Sequence, residues 1–133
     1  MGTRSITVIR NEEKEIVATI YKQYDGYPEG WGKELLDFIA SKDMVNGIAR
    51  EKNVFNGIED FAAQLVAEFK DGPGNLYLYP PIKPKAKGHR KYWDYCWADY
   101  AYDVDHELNV TCHDCYRDKP VSLTHENIKE INE

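Results

Sequence analysis

Ile58, Phe61, Ala62, Leu65, Val66 and Phe69 fall at i, i+3, i+4 spacing without a miss, and this run constrains the fold more than any other part of the chain. Such an apolar stripe on a helix is stable only when another layer covers it. The ends of the helix are also written into the sequence. Asn56, with Glu59 three places on, is a variant of the capping box, and Asp71-Gly72-Pro73-Gly74 stops the helix within four residues.

The covering layer is predicted to be strands. SITVIR and EIVATIYKQY are β-branched and partly alternating, and Asn11-Glu12-Glu13-Lys14 between them has the length and polarity of a hairpin turn. DGYPEGWG then breaks regular structure and leads into KELLDFIASKD, where Leu35, Leu36, Phe38 and Ile39 share one helical face. From Met44 to Val54 the periodicity is weak and includes Asn46-Gly47, so that segment reads as irregular or a short helix. Beyond the second helix come NLYLY, closed by Pro80-Pro81, then a basic loop over 82–91, then YWDYCWADYAYDV with ELNVTC as its antiparallel partner across a turn near Asp105-His106. A short helix is expected over 124–131, capped by Thr124, with Ile128 and Ile131 as its apolar points. The order β-β-α-α-β-β-β describes one α+β domain over 1–133: an antiparallel sheet of about five strands, covered on one face by two helices.

At 133 residues, 42 % hydrophobic and 30 % charged, the chain has the composition of a folded globular domain, which excludes wholesale disorder. No apolar run reaches the roughly 20 residues of a membrane span, and the N-terminal stretch lacks the apolar segment of a secretory signal, so the expected setting is the cytosol. Cys96, Cys112 and Cys115 are an odd number, and reduced thiols are expected.

Charge is unevenly spread. Lys83, Lys85, Lys87, Arg90 and Lys91 make a +5 island, which leaves −11 for the rest of a chain whose net charge is −6. Aromatic residues follow at once, and cations interleaved with stacking rings are how nucleotides and single strands are held. The acidic remainder would repel a duplex, so a small anionic ligand fits better.

Cys112-His113-Asp114-Cys115 offers half of a zinc site; Cys96, His106 and His125 are the available complements, but none forms a second pair at zinc-site spacing, and no metal or other cofactor is expected. The motif closes a strand instead of opening a helix, which argues against redox use. Asp99, Asp103 and Asp105, followed by His106 and Glu107, could hold a hard cation or supply paired carboxylates. The simpler account makes them the solvated face of a strand, opposite Tyr100 and Tyr102. No nucleophile elbow, phosphate-binding loop or zinc-protease helix is present in the sequence.

The junction from Tyr21 to Gly32 concentrates special residues. Gln23 and Asp25 arrive at a glycine-rich turn before a helix, Tyr27 follows, and Arg4 lies near the same end if the hairpin pairs in its simplest register. A plain turn with glycines relieving helix–sheet crowding is the competing account. Gly2-Thr3-Arg4-Ser5 together with YKQYDGYPEGWG resembles a family of small proteins met in bacteriophage and prophage genomes, for which no activity is established. The resemblance covers about the first third of the chain. It implies a viral or mobile-element protein acting in a host cytosol.

These features point to a non-enzymatic binding protein that captures a nucleotide-like anion or a host protein. Arg4, Gln23, Asp25 and Tyr27 would form the polar part of the site, Lys87 and Arg90 would add charge, and Trp93, Tyr95 and Trp97 would supply stacking surface. Two alternatives stand beside it: a metal-dependent hydrolase or nuclease using Asp25 or the Asp99, Asp103 and Asp105 carboxylates, and a structural module that forms homo-oligomers through the aromatic face after Tyr92.

Overall fold

The hydrophobic stripe at 58–69 does form a helix, and a sheet does lie beneath it. The structure, a computed structural model, describes residues 2–45, 53–80, 98–115 and 119–131. Among these the elements run β1 (Ser5–Arg10), β2 (Ile16–Lys22), a π-helical turn (Pro28–Gly32), α1 (Lys33–Ala40), β3 (Asp43–Val45), β4 (Val54–Asn56), α2 (Ile58–Phe69), β5 (Leu76–Tyr79), β6 (Tyr100–Val104), β7 (Val110–Asp114), β8 (Lys119–Ser122) and α3 (Ile128–Ile131). The fold is α+β, and no helix among the described residues is long and apolar enough to cross a membrane.

The count and order of strands differ from the sequence expectation. Six strands form one sheet in the order β5-β2-β1-β6-β7-β8, while β3 and β4 form a separate parallel pair where an irregular segment or short helix was expected. Asn46-Gly47 lies outside the described residues. The sheet is also not wholly antiparallel, because β1 and β6 run parallel, with Ser5 beside Tyr100 and Ile9 beside Val104. Strands this far apart in sequence can pair in parallel through a long crossover, which no local pattern announces. β8 is a further strand, in a stretch where the sequence announces none.

The hairpin expectation holds. β1 and β2 are antiparallel, with a bulge between Ile9 and Arg10. Their turn is tied by the Asn11 side-chain oxygen, which accepts from Glu15 N at 2.9 Å, and Lys14 takes the left-handed conformation at φ 66°. β6 and β7 are antiparallel partners, as predicted. Helix α2 begins one residue later than the capping-box reading requires. Gly57, at φ 94°, stands at its N-cap, and it is Asp60 whose carboxylate accepts from Asn56 N at 2.8 Å. Thr124 does cap the last turn, in a reciprocal pair with Asn127, although the helix itself covers only Ile128–Ile131.

The main core lies between the sheet and the helices. Ile9, Ile20, Tyr102, Val104, Val110 and Cys112 meet Leu35, Phe38, Phe61 and Leu65 there, with Trp31 and Phe55 filling the middle. Trp31 packs edge-on against Phe69 at 5.0 Å, and Phe55 does the same against Phe61 at 5.0 Å. A smaller cluster occupies the opposite face, where Ile6, Val8 and Ala101 are fully buried beside Ala98 and Cys115. The central strands are thus buried on both faces, which explains why SITVI carries little polar alternation.

Candidate functional site

The pairing of Ser5 with Lys22 places Arg4 opposite Gln23; the bulge between Ile9 and Arg10 steps the register away from the simplest one, yet Arg4 still lies at that end. Each member of this row is held by its neighbour. Gln23 N donates to Asn75 O at 2.7 Å, and Asn75 N returns a bond to Gln23 Oε1 at 3.1 Å. On the other side Arg4 N donates to the Asp99 carboxylate at 3.0 Å, and Asp99 N donates to Arg4 O at 2.8 Å. Cys115 N completes the row by donating to Asp99 O at 3.0 Å. Asn75, Gln23, Arg4, Asp99 and Cys115 therefore lie side by side across one end of the sheet.

Asp25 and Tyr27 lie at that same end, in the turn that doubles back from β2. Gly26 N donates to Thr3 O at 2.8 Å, which ties the turn to the start of β1. Most of the special residues here serve packing. Asp25 takes the left-handed conformation at φ 56°, and its carbonyl accepts from Trp31 N at 2.8 Å. A Cβ on Gly30 would come within 2.5 Å of that same carbonyl, and one on Gly26 within 2.7 Å of the Ser5 Cβ. The buried Tyr102 hydroxyl donates to Gly26 O at 2.7 Å, and the Trp31 indole N–H donates to Thr7 Oγ1 at 2.8 Å. The glycine-rich segment is thus the joint at which the helical layer is fastened to the sheet.

What packing leaves uncommitted is small and specific. Among the described residues the Arg4 guanidinium, the Tyr27 hydroxyl and the Asp25 carboxylate make no hydrogen bond, and the Gln23 amide uses its oxygen alone. Lys87, Arg90, Trp93, Tyr95 and Trp97, the other residues of the expected site, lie outside the described residues together with the whole 82–91 loop.

A buried lysine escaped the sequence reading. Lys22 is only 6 % exposed; its ammonium donates to Tyr24 O at 2.9 Å and to Asn75 Oδ1 at 3.1 Å, and sits 5.8 Å from the Trp31 ring centroid. Burial lowers its pKa, and the charges of Glu34 and Asp25 partly restore it. The signal was present: Ala18, Ile20 and Lys22 alternate along β2, and Ile20 belongs to the core face.

The structure separates the metal candidates. In a strand, residues three apart face opposite ways, and Cys112 belongs to the helix-side core while Cys115 belongs to the cluster on the other face. Burial first, then the charge of Asp114, pushes the Cys112 thiol up to about 12, so it is held neutral; a hydrogen bond with Tyr102 works the other way. Burial likewise raises the Tyr102 phenol well above its ordinary range. His106 lies in the β6–β7 turn, His125 bonds Asp37 at 2.8 Å, and Cys96 lies outside the described residues. Among the described residues no group of three or more His, Cys, Asp or Glu could hold a metal ion.

The acidic residues in and beside β6 have separate duties. Asp99 holds Arg4, Asp103 pairs with the Arg10 guanidinium at 3.0 Å, and Asp105 accepts from Glu107 N and Asn109 N, both at 2.9 Å, to shape the turn. The expected solvated face is a buried one, since Ile6, Val8 and Ala101 are inaccessible on that side; Asp99 and Asp103 lie toward the two ends of the strand. The chain matches no family model, no curated protein and no solved structure with which it was compared.

Proposed function

We propose that this is a non-enzymatic binding protein that captures a small anionic ligand at the sheet end carrying Arg4. One observation carries the reading. Arg4 has its backbone N–H and carbonyl both fastened by Asp99, while its guanidinium has no partner among the described residues. A guanidinium is a rigid fork matched to phosphate or carboxylate, and a fixed backbone lowers the entropy lost when it binds. The Gln23 amide N–H groups and the Tyr27 hydroxyl are donors at the same end.

The chemistry of Lys87, Arg90, Trp93, Tyr95 and Trp97 makes a nucleotide the ligand class to try first, with rings to stack the base and cations for its phosphates. The resemblance of the N-terminal third adds a bacteriophage origin and a host-cytosol setting to the same proposal. Calorimetric titration with nucleoside monophosphates, cyclic nucleotides and inorganic phosphate tests it. Binding weakened about tenfold or more by Arg4→Ala, and less by Arg4→Lys, is the expected result. Absence of heat with every one of these anions ends the reading.

A further inference from the structure

At the opposite end of the sheet a cavity of about 390 Å³ opens between two hairpin tips and the start of α2. Its volume falls within the roughly 300–1,000 Å³ typical of occupied pockets. Met44, Val45 and Ile58 are the apolar part of its lining, and Glu12, Glu13 and Glu59 stand among the polar part. The walls are held in place before anything binds. Asn11 ties the β1–β2 tip through Glu15 N, Asp105 ties the β6–β7 tip that carries His106, and Asp60 is turned aside to Asn56 N and to the Gln64 amide at 2.7 Å. Glu12, Glu13 and Glu59 are exposed, and among the described residues no cation pairs with any of them.

We propose that this cavity is a docking site for a lysine side chain presented by a partner protein. The charge and the shape ask for the same occupant. A lysine stem lies along apolar surface while its ammonium stays among carboxylates, and the cavity lining offers both kinds of group. An anion is disfavoured by the three glutamates, and a wholly apolar side chain would leave them desolvated without compensation. Complementary charge at such a site acts chiefly on association rate and partner choice. The inference is independent of the Arg4 reading, because it uses the other end of the sheet.

The test is a titration of the isotope-labelled full chain with a ten-residue Gly/Ser peptide bearing one central lysine, beside the same peptide bearing norleucine. Expected are amide shifts at Met44, Val45, Ile58 and Glu59 with the lysine peptide alone, weakening as salt rises. The combined Glu12→Gln, Glu13→Gln, Glu59→Gln variant should bind about tenfold more weakly, and the charge-matched Glu68→Gln, Glu126→Gln, Glu130→Gln variant within about twofold of wild type. Should the first variant lose the wild-type amide dispersion, Glu12→Gln and Glu13→Gln singly carry the test. No binding, equal binding of the norleucine peptide, equal weakening by both variants, or binding of free spermidine but not of the peptide overturns the proposal.

Discussion

The two ends of the sheet differ in how they use their residues. The end at 23–32 gathers three glycines, a proline, Trp31 and the left-handed Asp25, and Tyr102 and the left-handed Asn75 join it from β6 and from the start of β5, yet nearly all of them are spent on one another and on the core. The end at the hairpin tips is built from ordinary turn residues, and among the described residues it leaves three carboxylates without a cation beside the apolar Met44, Val45 and Ile58. A dense cluster of unusual residues therefore marks a crowded joint, and polar groups stay without partners among the described residues where packing has made fewer demands, as at the guanidinium of Arg4.

The contrast predicts large losses of stability at the joint and almost none at the tips. Trp31→Ala removes a fully buried ring and strands the Thr7 hydroxyl, and should cost about 3–5 kcal/mol in denaturant unfolding. A loss below about 1 kcal/mol would mean that the joint does not anchor the helices.

Alkaline titration sharpens the same contrast through Cys112, which sits beside Tyr102 on the joint's side of the core. Its folded-state pKa is raised from the ordinary 9.0 to about 12, so its contribution is complete below pH 9 and is lost as pH climbs towards 12. Across that window the loss is on the order of 4 kcal/mol, and Cys112→Val should flatten it. Tyr102 adds to the loss above its ordinary 10.0. Lys22 acts with the opposite sign, since its lowered folded pKa makes stability rise with pH until the unfolded value of 10.5 is passed. Unfolding measured at a series of pH values separates these slopes.

Gly30→Ala tests the crowding directly. The added Cβ meets a backbone carbonyl, which cannot swing aside as a side chain can, and a cost of about 1–3 kcal/mol is expected. The smallest effect belongs to the tips: replacing Glu12, Glu13 and Glu59 together by Gln should leave unfolding free energy within about 0.5 kcal/mol per site. A large loss there would make those carboxylates structural and erase the difference between the two ends.

Much of the architecture was legible in the chain, and the reasons are local. The stripe from Ile58 to Phe69, the Asp71-Gly72-Pro73-Gly74 stop and the polar turn after Arg10 each act within a few residues, so periodicity and turn chemistry read them correctly. The site was legible in part. Arg4 and Gln23 were brought together by the short hairpin, in a register set by the bulge at Ile9 and Arg10, whereas the glycines near them could not be told from a ligand cradle until Asp25 O and Ser5 were seen against them. Lys22 was overlooked because its charge outweighed its position in the alternation of β2, and the CxxC pair drew attention because spacing alone does not say that its two thiols face opposite sides of the sheet.

The sequence by itself determined that two amphipathic helices and a β-branched hairpin must combine in an α+β fold, because hydrophobic period and turn chemistry are properties of neighbouring residues. Only the tertiary structure decided that β1 lies parallel to β6, that Asp99 holds Arg4, and that the glycine-rich joint is full while the hairpin tips are open. A strand's pattern specifies which side chains share a face, not which strand comes to lie beside it, and whether a polar atom is spent or free depends on that distant neighbour.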